Sequence, residues 1–283
     1  PVMLSPDAST DRKFLLTRLD RTEGRLHQML RWMTGSYSRP DFVWSPYRDF
    51  YSELRQPTHS VVASIVGDWK PGLQYDGRVH WNRQSLGWNR PYAEIPTLES
   101  FDGTILPGSP AFYAFDYRQQ RWESNHFVAW LHGGHQWKMG GSGMVRTLHT
   151  AFAPGRDGRL SFNSYLADFG YGQPNTVDLL VNRRALPQIE TVNGPQSFRQ
   201  LSANWFLQDS WRVNSRLMLH LGARYEFSGS PSQTGGPAVE TLDLGARLDV
   251  RDAHWRVPGA AGLLPVDRND WAARTGLSWR LDE

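Results

Sequence analysis

The chain contains no cysteine. That excludes a disulfide framework and thiolate-held metals, and it fits many bacterial envelope proteins without fixing a compartment. Long hydrophobic runs are missing too: no stretch approaches the roughly 18 consecutive apolar residues of a membrane helix. Charge of one sign is scarce, with a net +3 from 31 basic and 28 acidic residues and no run of Lys and Arg, so the composition does not point to nucleic acid. The first residue is Pro1, with no charged start, apolar stretch or cleavage site behind it, so the expectation is a mature product or a piece of a longer chain. No phosphate-binding glycine loop, nucleophile elbow or HExxH motif occurs.

Tryptophan is what the chain has in excess: 13 among 283 residues, beside a mean hydropathy of −0.55. So many indoles are hard to bury in one core, whereas a membrane interface accommodates a ring with an apolar body and a polar edge. The pattern that carries them has a period of two. Leu217, Leu219, Leu221, Ala223, Tyr225 and Phe227 alternate with Met218, His220, Gly222, Arg224 and Glu226. Before Arg212-Val213-Asn214 the odd positions Leu201, Ala203, Trp205, Leu207 and Trp211 keep the same parity, with Phe206 as the break. Two such runs joined by turn-forming residues predict one long antiparallel hairpin. Soluble strands usually stop at about five or six residues, whereas a tilted strand crossing a bilayer needs about nine to eleven.

Other stretches share this build. His59 to Trp69 turns at Lys70-Pro71-Gly72 into Leu73, Tyr75, Gly77, Val79 and Trp81, which alternate with Gln74, Asp76, Arg78, His80 and Asn82. Asn125 to Trp137 predicts a strand with Phe127, Ala129 and Leu131 on its apolar side and a turn near Lys138-Met139-Gly140. The last run is Trp271 to Leu281. Short turns near 21–25, 70–72, 138–140 and 212–214 alternate with long loops over 39–58, 89–122, 153–198 and 229–270. The pairs Trp69-Lys70, Trp137-Lys138, Trp211-Arg212 and Trp279-Arg280 recur at spacings of 68, 74 and 68 residues and read as the ends of descending strands.

These regularities predict an all-β chain: an antiparallel up-and-down transmembrane β-barrel segment of about nine to eleven long strands, with short periplasmic turns and long extracellular loops. Trp69, Trp137, Trp211 and Trp279 would form a girdle at the periplasmic interface, with the neighbouring Lys or Arg reaching lipid phosphates. Leu217, Leu219, Leu221 and Tyr225 would face lipid; Arg78, His80, Arg224, Glu226 and Arg274 would face the lumen and pair with one another or with a plug. The middle of the apolar parity carries no charge. Arg83 and Asp209 fall near strand ends, where a charge costs about 0–1 kcal/mol against about 2–4 at the bilayer midplane. The competing account is a soluble sandwich, propeller or β-helix packing the same alternation into an ordinary core, although propeller repeats of about 40–45 residues are too short for this period.

Candidate chemistry is thin. His132 and His135, three apart in one strand, would point to opposite faces. His126 and His132 share a face but lie about 20 Å apart along it, too far for one ion. Glu99, Asp102 and Asp116 could flank a sugar, but nothing in the loop positions them. Phe101, Phe112, Tyr113, Phe115, Tyr117 and Trp122 could stack on a carbohydrate or chelate ligand, or simply pack the loops together. The expectation is therefore no enzyme, no metal, no cofactor and no identifiable substrate residue.

The run Gln208-Asp209-Ser210-Trp211, followed by Leu217-Met218-Leu219-His220-Leu221-Gly222-Ala223-Arg224-Tyr225-Glu226, resembles the "QDDW" and "LTLNLGLRYE" stretches of Oar-like TonB-dependent outer-membrane receptors. Weaker echoes are His135-Gln136-Trp137-Lys138-Met139-Gly140 for "HxxKFG", Asp168-Phe169-Gly170-Tyr171-Gly172-Gln173-Pro174 for "DFLxGxP", and Asn269-Asp270-Trp271 with Arg274-Thr275-Gly276 for "NNFxPRxG". The resemblance covers residues from about 14 to the end. It implies a barrel in the bacterial outer membrane, surrounded by its lipid and lipopolysaccharide, that takes up a ligand with energy delivered by the TonB complex through a plug domain. Neither a plug nor a TonB box is visible in residues 1–283, and family barrels have 22 strands, so the expected domain is a partial barrel. A passive porin or adhesin-like barrel, or a soluble β-rich carbohydrate-binding module, are the alternatives.

Overall fold

Alternating runs separated by glycine- and proline-bearing turns give long strands. The computed structural model describes residues 9–41, 47–88, 92, 95, 97–100, 115–152, 159–162, 174–178, 195–243, 245, 254–257 and 262–281. The strands are β1 (Asp11–Glu23), β2 (Leu26–Asp41), β3 (Ser52–Lys70), β4 (Leu73–Trp88), β5 (Thr97–Ser100), β6 (Phe115–His132), β7 (His135–Phe152), β8 (Arg159–Phe162), β9 (Pro174–Asp178), β10 (Gln196–Arg212), β11 (Leu217–Ser228), β12 (Ser232–Gly235), β13 (Thr241–Asp243), β14 (His254–Arg256) and β15 (Trp271–Trp279). One ten-stranded sheet runs β1-β2-β3-β4-β6-β7-β10-β11-β15, with β12 paired to β10. Every ladder in it is antiparallel and every neighbour on the main path is the next long strand, so the topology is up-and-down. The short strands form two small separate sheets, β13-β14 and β5-β8-β9. No helix among the described residues is long and apolar enough to cross a membrane, which says nothing about crossing by strands.

One turn departs from the sequence reading, and the rest of that hairpin moves with it. The chain reverses at Gly133-Gly134, not at Lys138-Met139-Gly140, and Gly133 has a φ of 57°. A two-residue hairpin loop wants positive φ, which glycine adopts without steric cost. His132 and His135 are therefore direct cross-strand partners on one face, not residues on opposite faces of one strand. Phe127, Ala129 and Leu131 change sides. Trp137-Lys138 opens the ascending strand β7, and Trp130 holds the place on β6 that Trp69, Trp211 and Trp279 hold near the ends of β3, β10 and β15. Phe115, Asp116, Tyr117 and Trp122 lie in β6 and not in a loop.

The register assigns each position to one of two faces, because directly paired residues share a side. Trp271, Tyr225, Trp205, Gly141, His126, Gly77 and Ile65 are linked by successive pairings and define the apolar face. Along β10 the apolar positions Leu201, Ala203, Trp205 and Leu207 are exposed, while Ser202, Asn204 and Phe206 on the other side are half-covered. That difference is what bending a sheet toward its polar side produces. Among the described residues there is no second layer: Leu54 is their one buried large apolar side chain, while Leu221, Trp271 and Leu277 are 48%, 61% and 66% exposed.

Candidate functional site

The apolar face carries two aromatic belts. Trp122 and Trp130 lie eight residues apart on β6, and Trp271 and Trp279 lie eight apart on β15. Eight residues of strand span about 27 Å, or about 20 Å of height at a 40° tilt. Trp81 pairs directly with Trp122 in the belt nearer the long connections, and Trp205, Tyr225 and Trp271 continue it with ring centroids 4.7–6.5 Å apart. At the short-turn end Trp69 meets Tyr75 edge-on at 5.5 Å, and Trp137 and Trp211 stack on the two sides of His135 at 5.7 and 5.2 Å. Trp69, Trp137, Trp211 and Trp279 thus share one face and one end of the sheet. Leu217, Leu219, Leu221 and Tyr225 occupy the same face between or within the belts.

Among the polar groups on this apolar side, His126 and Asp209 each have close side-chain partners. His126, in the middle of the band, accepts or donates at both ring nitrogens, 2.7 Å from the Tyr75 hydroxyl and 2.8 Å from Ser124 Oγ. Asp209 is 6% exposed and bonds His135 Nδ1 through Oδ2 at 2.6 Å, while its Oδ1 is buried with no partner among the described residues. The bond to His135 is what offsets the cost of burying a carboxylate here. His132 and His135 face each other, yet no group of three metal-ligating side chains occurs among the described residues.

The opposite face is polar. Arg78, His80, Arg224, Glu226 and Arg274 all lie on it. The structure brings Arg224 onto Glu226, pairs Arg78 with Asp76 at 2.9 Å, and sets His80 against Ser60 Oγ at 3.0 Å. Arg274 and Arg224 line a cleft of about 530 Å³ whose floor is Gly222 and Gly276. The basic halves of two tryptophan pairs also belong here: Arg212 shares a face with Met218 and Ser278, and with Arg216 and Arg280 it lines a hollow at the turn end. Arg212 and Arg280 therefore do not extend from the tryptophan face toward lipid phosphates as the sequence suggests, because consecutive strand residues point oppositely.

Phe206, the break in the parity of β10, is explained by a partner the hydrophobic pattern does not reveal. Its ring stacks on Phe127 at 6.3 Å on the polar face, and both rings cross Gly140, where a Cβ would fall 2.8 Å from Phe206. Phe101, Phe112, Tyr113, Asp102 and the segment from Asp168 to Gln173 lie outside the described residues, as does the side chain of Glu99.

A family described as outer membrane beta barrel domain matches residues 3–283. No curated protein matches the chain in sequence. Among solved structures, the outer membrane transporter YddB from Escherichia coli superposes with a TM-score of 0.51 at 12% identity, over 79% of this chain and 28% of that one. The copper transporter OprC gives a TM-score of 0.39 at 11% identity, over 95% of this chain and 42% of that one. The chain thus spans less than a third of the length of YddB, and that likeness concerns the fold.

Proposed function

Because the chain belongs to the outer membrane beta barrel domain family and lies in the bacterial outer membrane, we propose that residues 1–283 form part of the barrel of an active, TonB-dependent transporter. The observation that carries this reading is the two-faced single sheet, apolar and belted on one side and charged on the other. On this reading the tryptophan face meets lipid, with Trp69, Trp137, Trp211 and Trp279 at the periplasmic headgroups and Leu217, Leu219, Leu221 and Tyr225 toward acyl chains. Arg78, His80, Arg224, Glu226 and Arg274 line the aqueous passage. Lipopolysaccharide surrounds the outer rim, and the TonB complex acts through a plug.

Uptake makes and breaks no covalent bond, so the protein is a carrier and not an enzyme. The Oar-like run from Gln208 to Glu226 supports active over passive transport. The test is to place the full-length gene product in planar bilayers and to probe it with the purified periplasmic domain of TonB. A closed conductance together with TonB binding is expected. A steady open channel without TonB binding replaces the proposal with a passive porin.

A further inference from the structure

On the polar face three ladder carboxylates each have an arginine two residues away. Asp20 pairs with Arg18 at 2.7 Å, Asp76 with Arg78 at 2.9 Å, and Glu226 with Arg224. The pattern loosens at Glu123: Arg121 stands 3.8 Å away, and Glu123 Oε1 accepts instead from Asn125 Nδ2 at 3.0 Å. Directly across the ladder from Arg121 is Arg146, which no carboxylate among the described residues approaches within ion-pair distance. The Nε atoms of both arginines are buried without a hydrogen-bond partner among the described residues.

Like charges placed directly opposite in a sheet repel, and a buried guanidinium N–H without an acceptor forfeits its hydration. Two such costs at one ladder position are offset together by one negatively charged acceptor lying between the two forks. Planar guanidinium pairs bind carboxylate or phosphate oxygens well. The residues next to the pair, Trp122 and Val145, stand on the opposite face in the belt nearer the long connections. The pair is therefore level with the outer mouth of the passage. Asn82 and Gln200, in the same row, direct their side-chain N–H groups to backbone carbonyls of His59 and Gly229, so they add no competing donor toward it.

We infer that Arg121 and Arg146 form a subsite for an oxyanion, a carboxylate or phosphate group, on the transported ligand. This rests on the polar face being the passage wall, and the experiment separates the two claims. The full-length protein in detergent is titrated calorimetrically with citrate, with inorganic phosphate and with neutral maltotriose. Binding of citrate, phosphate or both is expected, and the preferred anion identifies which oxyanion the site takes. Arg121→Gln and Arg146→Gln should each weaken that binding about ten-fold, the worth of one charge-assisted hydrogen bond. Arg146→Lys should recover part of it, and Arg199→Gln on the other face should change nothing.

Binding of neither anion, or equal binding by the wild type and the Arg121→Gln/Arg146→Gln double variant, overturns the inference and leaves the arginines holding a carboxylate from elsewhere in the protein. The wall itself is read separately. In this cysteine-free chain, the thiol introduced by Met144→Cys should react in intact membranes with a charged, water-soluble methanethiosulfonate, whereas that from Val145→Cys should not. The reverse reactivity overturns the passage reading.

Discussion

Asp209 has one oxygen bonded to His135 and one oxygen buried with no hydrogen-bond partner among the described residues. Removing only the carboxylate strands the imidazole, so Asp209→Ala should cost about 1–3 kcal/mol. Replacing both partners, as in His135→Phe with Asp209→Leu, removes the orphan as well as the bond and should return most of that loss. Urea titration of the protein folded in lipid vesicles reads both values, and equal destabilisation by the single and double variants would contradict the account. Gly140 makes a second residue-scale case. A Cβ there would lie 2.7 Å from the His126 carbonyl oxygen and 2.8 Å from the Phe206 ring. Gly140→Val should cost about 1–3 kcal/mol by overpacking. Phe206→Leu alongside it should relieve the ring contact only, since the carbonyl belongs to the backbone.

At the scale of elements, a strand's two faces differ in what they tolerate. Leu221→Arg, between the belts on β11, should lower stability by about 2–4 kcal/mol, while Leu201→Arg on the same face, paired with Val145 at the belt nearer the long connections, should cost about 0–1. Met218→Arg, on the polar face, should fall near the lower figure, all three read by urea-dependent folding into vesicles. The hairpin of β10 and β11 was legible because its alternation runs unbroken apart from Phe206 and because Asn214 is its one strong turn former: Asn214 Oδ1 accepts from the backbone N–H of both Arg216 and Leu217 at 2.9 Å. The hairpin of β6 and β7 was not. It offers glycines at both 133–134 and 140–141, and both parities of β6 carry large apolar groups, Phe127 and Leu131 on one and Val128 and Trp130 on the other. Local chemistry left the turn undecided, and the stack of Phe127 on Phe206, which shows the side taken, joins strands far apart in sequence. The Arg121–Arg146 pair was hidden for the same reason, since a turn displaced by several residues never brings those positions opposite. Gly133 tests the turn itself: Gly133→Val should cost about 1–2 kcal/mol in the left-handed region and Gly133→Asn much less, in the same vesicle assay.

Among the described residues the apolar side of the sheet lies open from one edge strand to the other, with Leu19, Trp205 and Leu277 64%, 42% and 66% exposed. Among the described residues no ladder joins β1 to β15, so both outer strands present unpaired N–H and C=O groups. Open edges beside apolar surface drive association in water, and detergent removes the apolar part of that drive while leaving the edges. Residues 1–283 produced alone should therefore pellet from aqueous buffer at any modest concentration. In detergent micelles they should sediment as small oligomers joined edge to edge, shifting toward monomer when Leu19 and Leu277 on the two edge strands are replaced by lysine. Recovery of a monodisperse monomer in plain buffer would mean that the apolar side folds onto itself, and the membrane assignment of that face would fall with it.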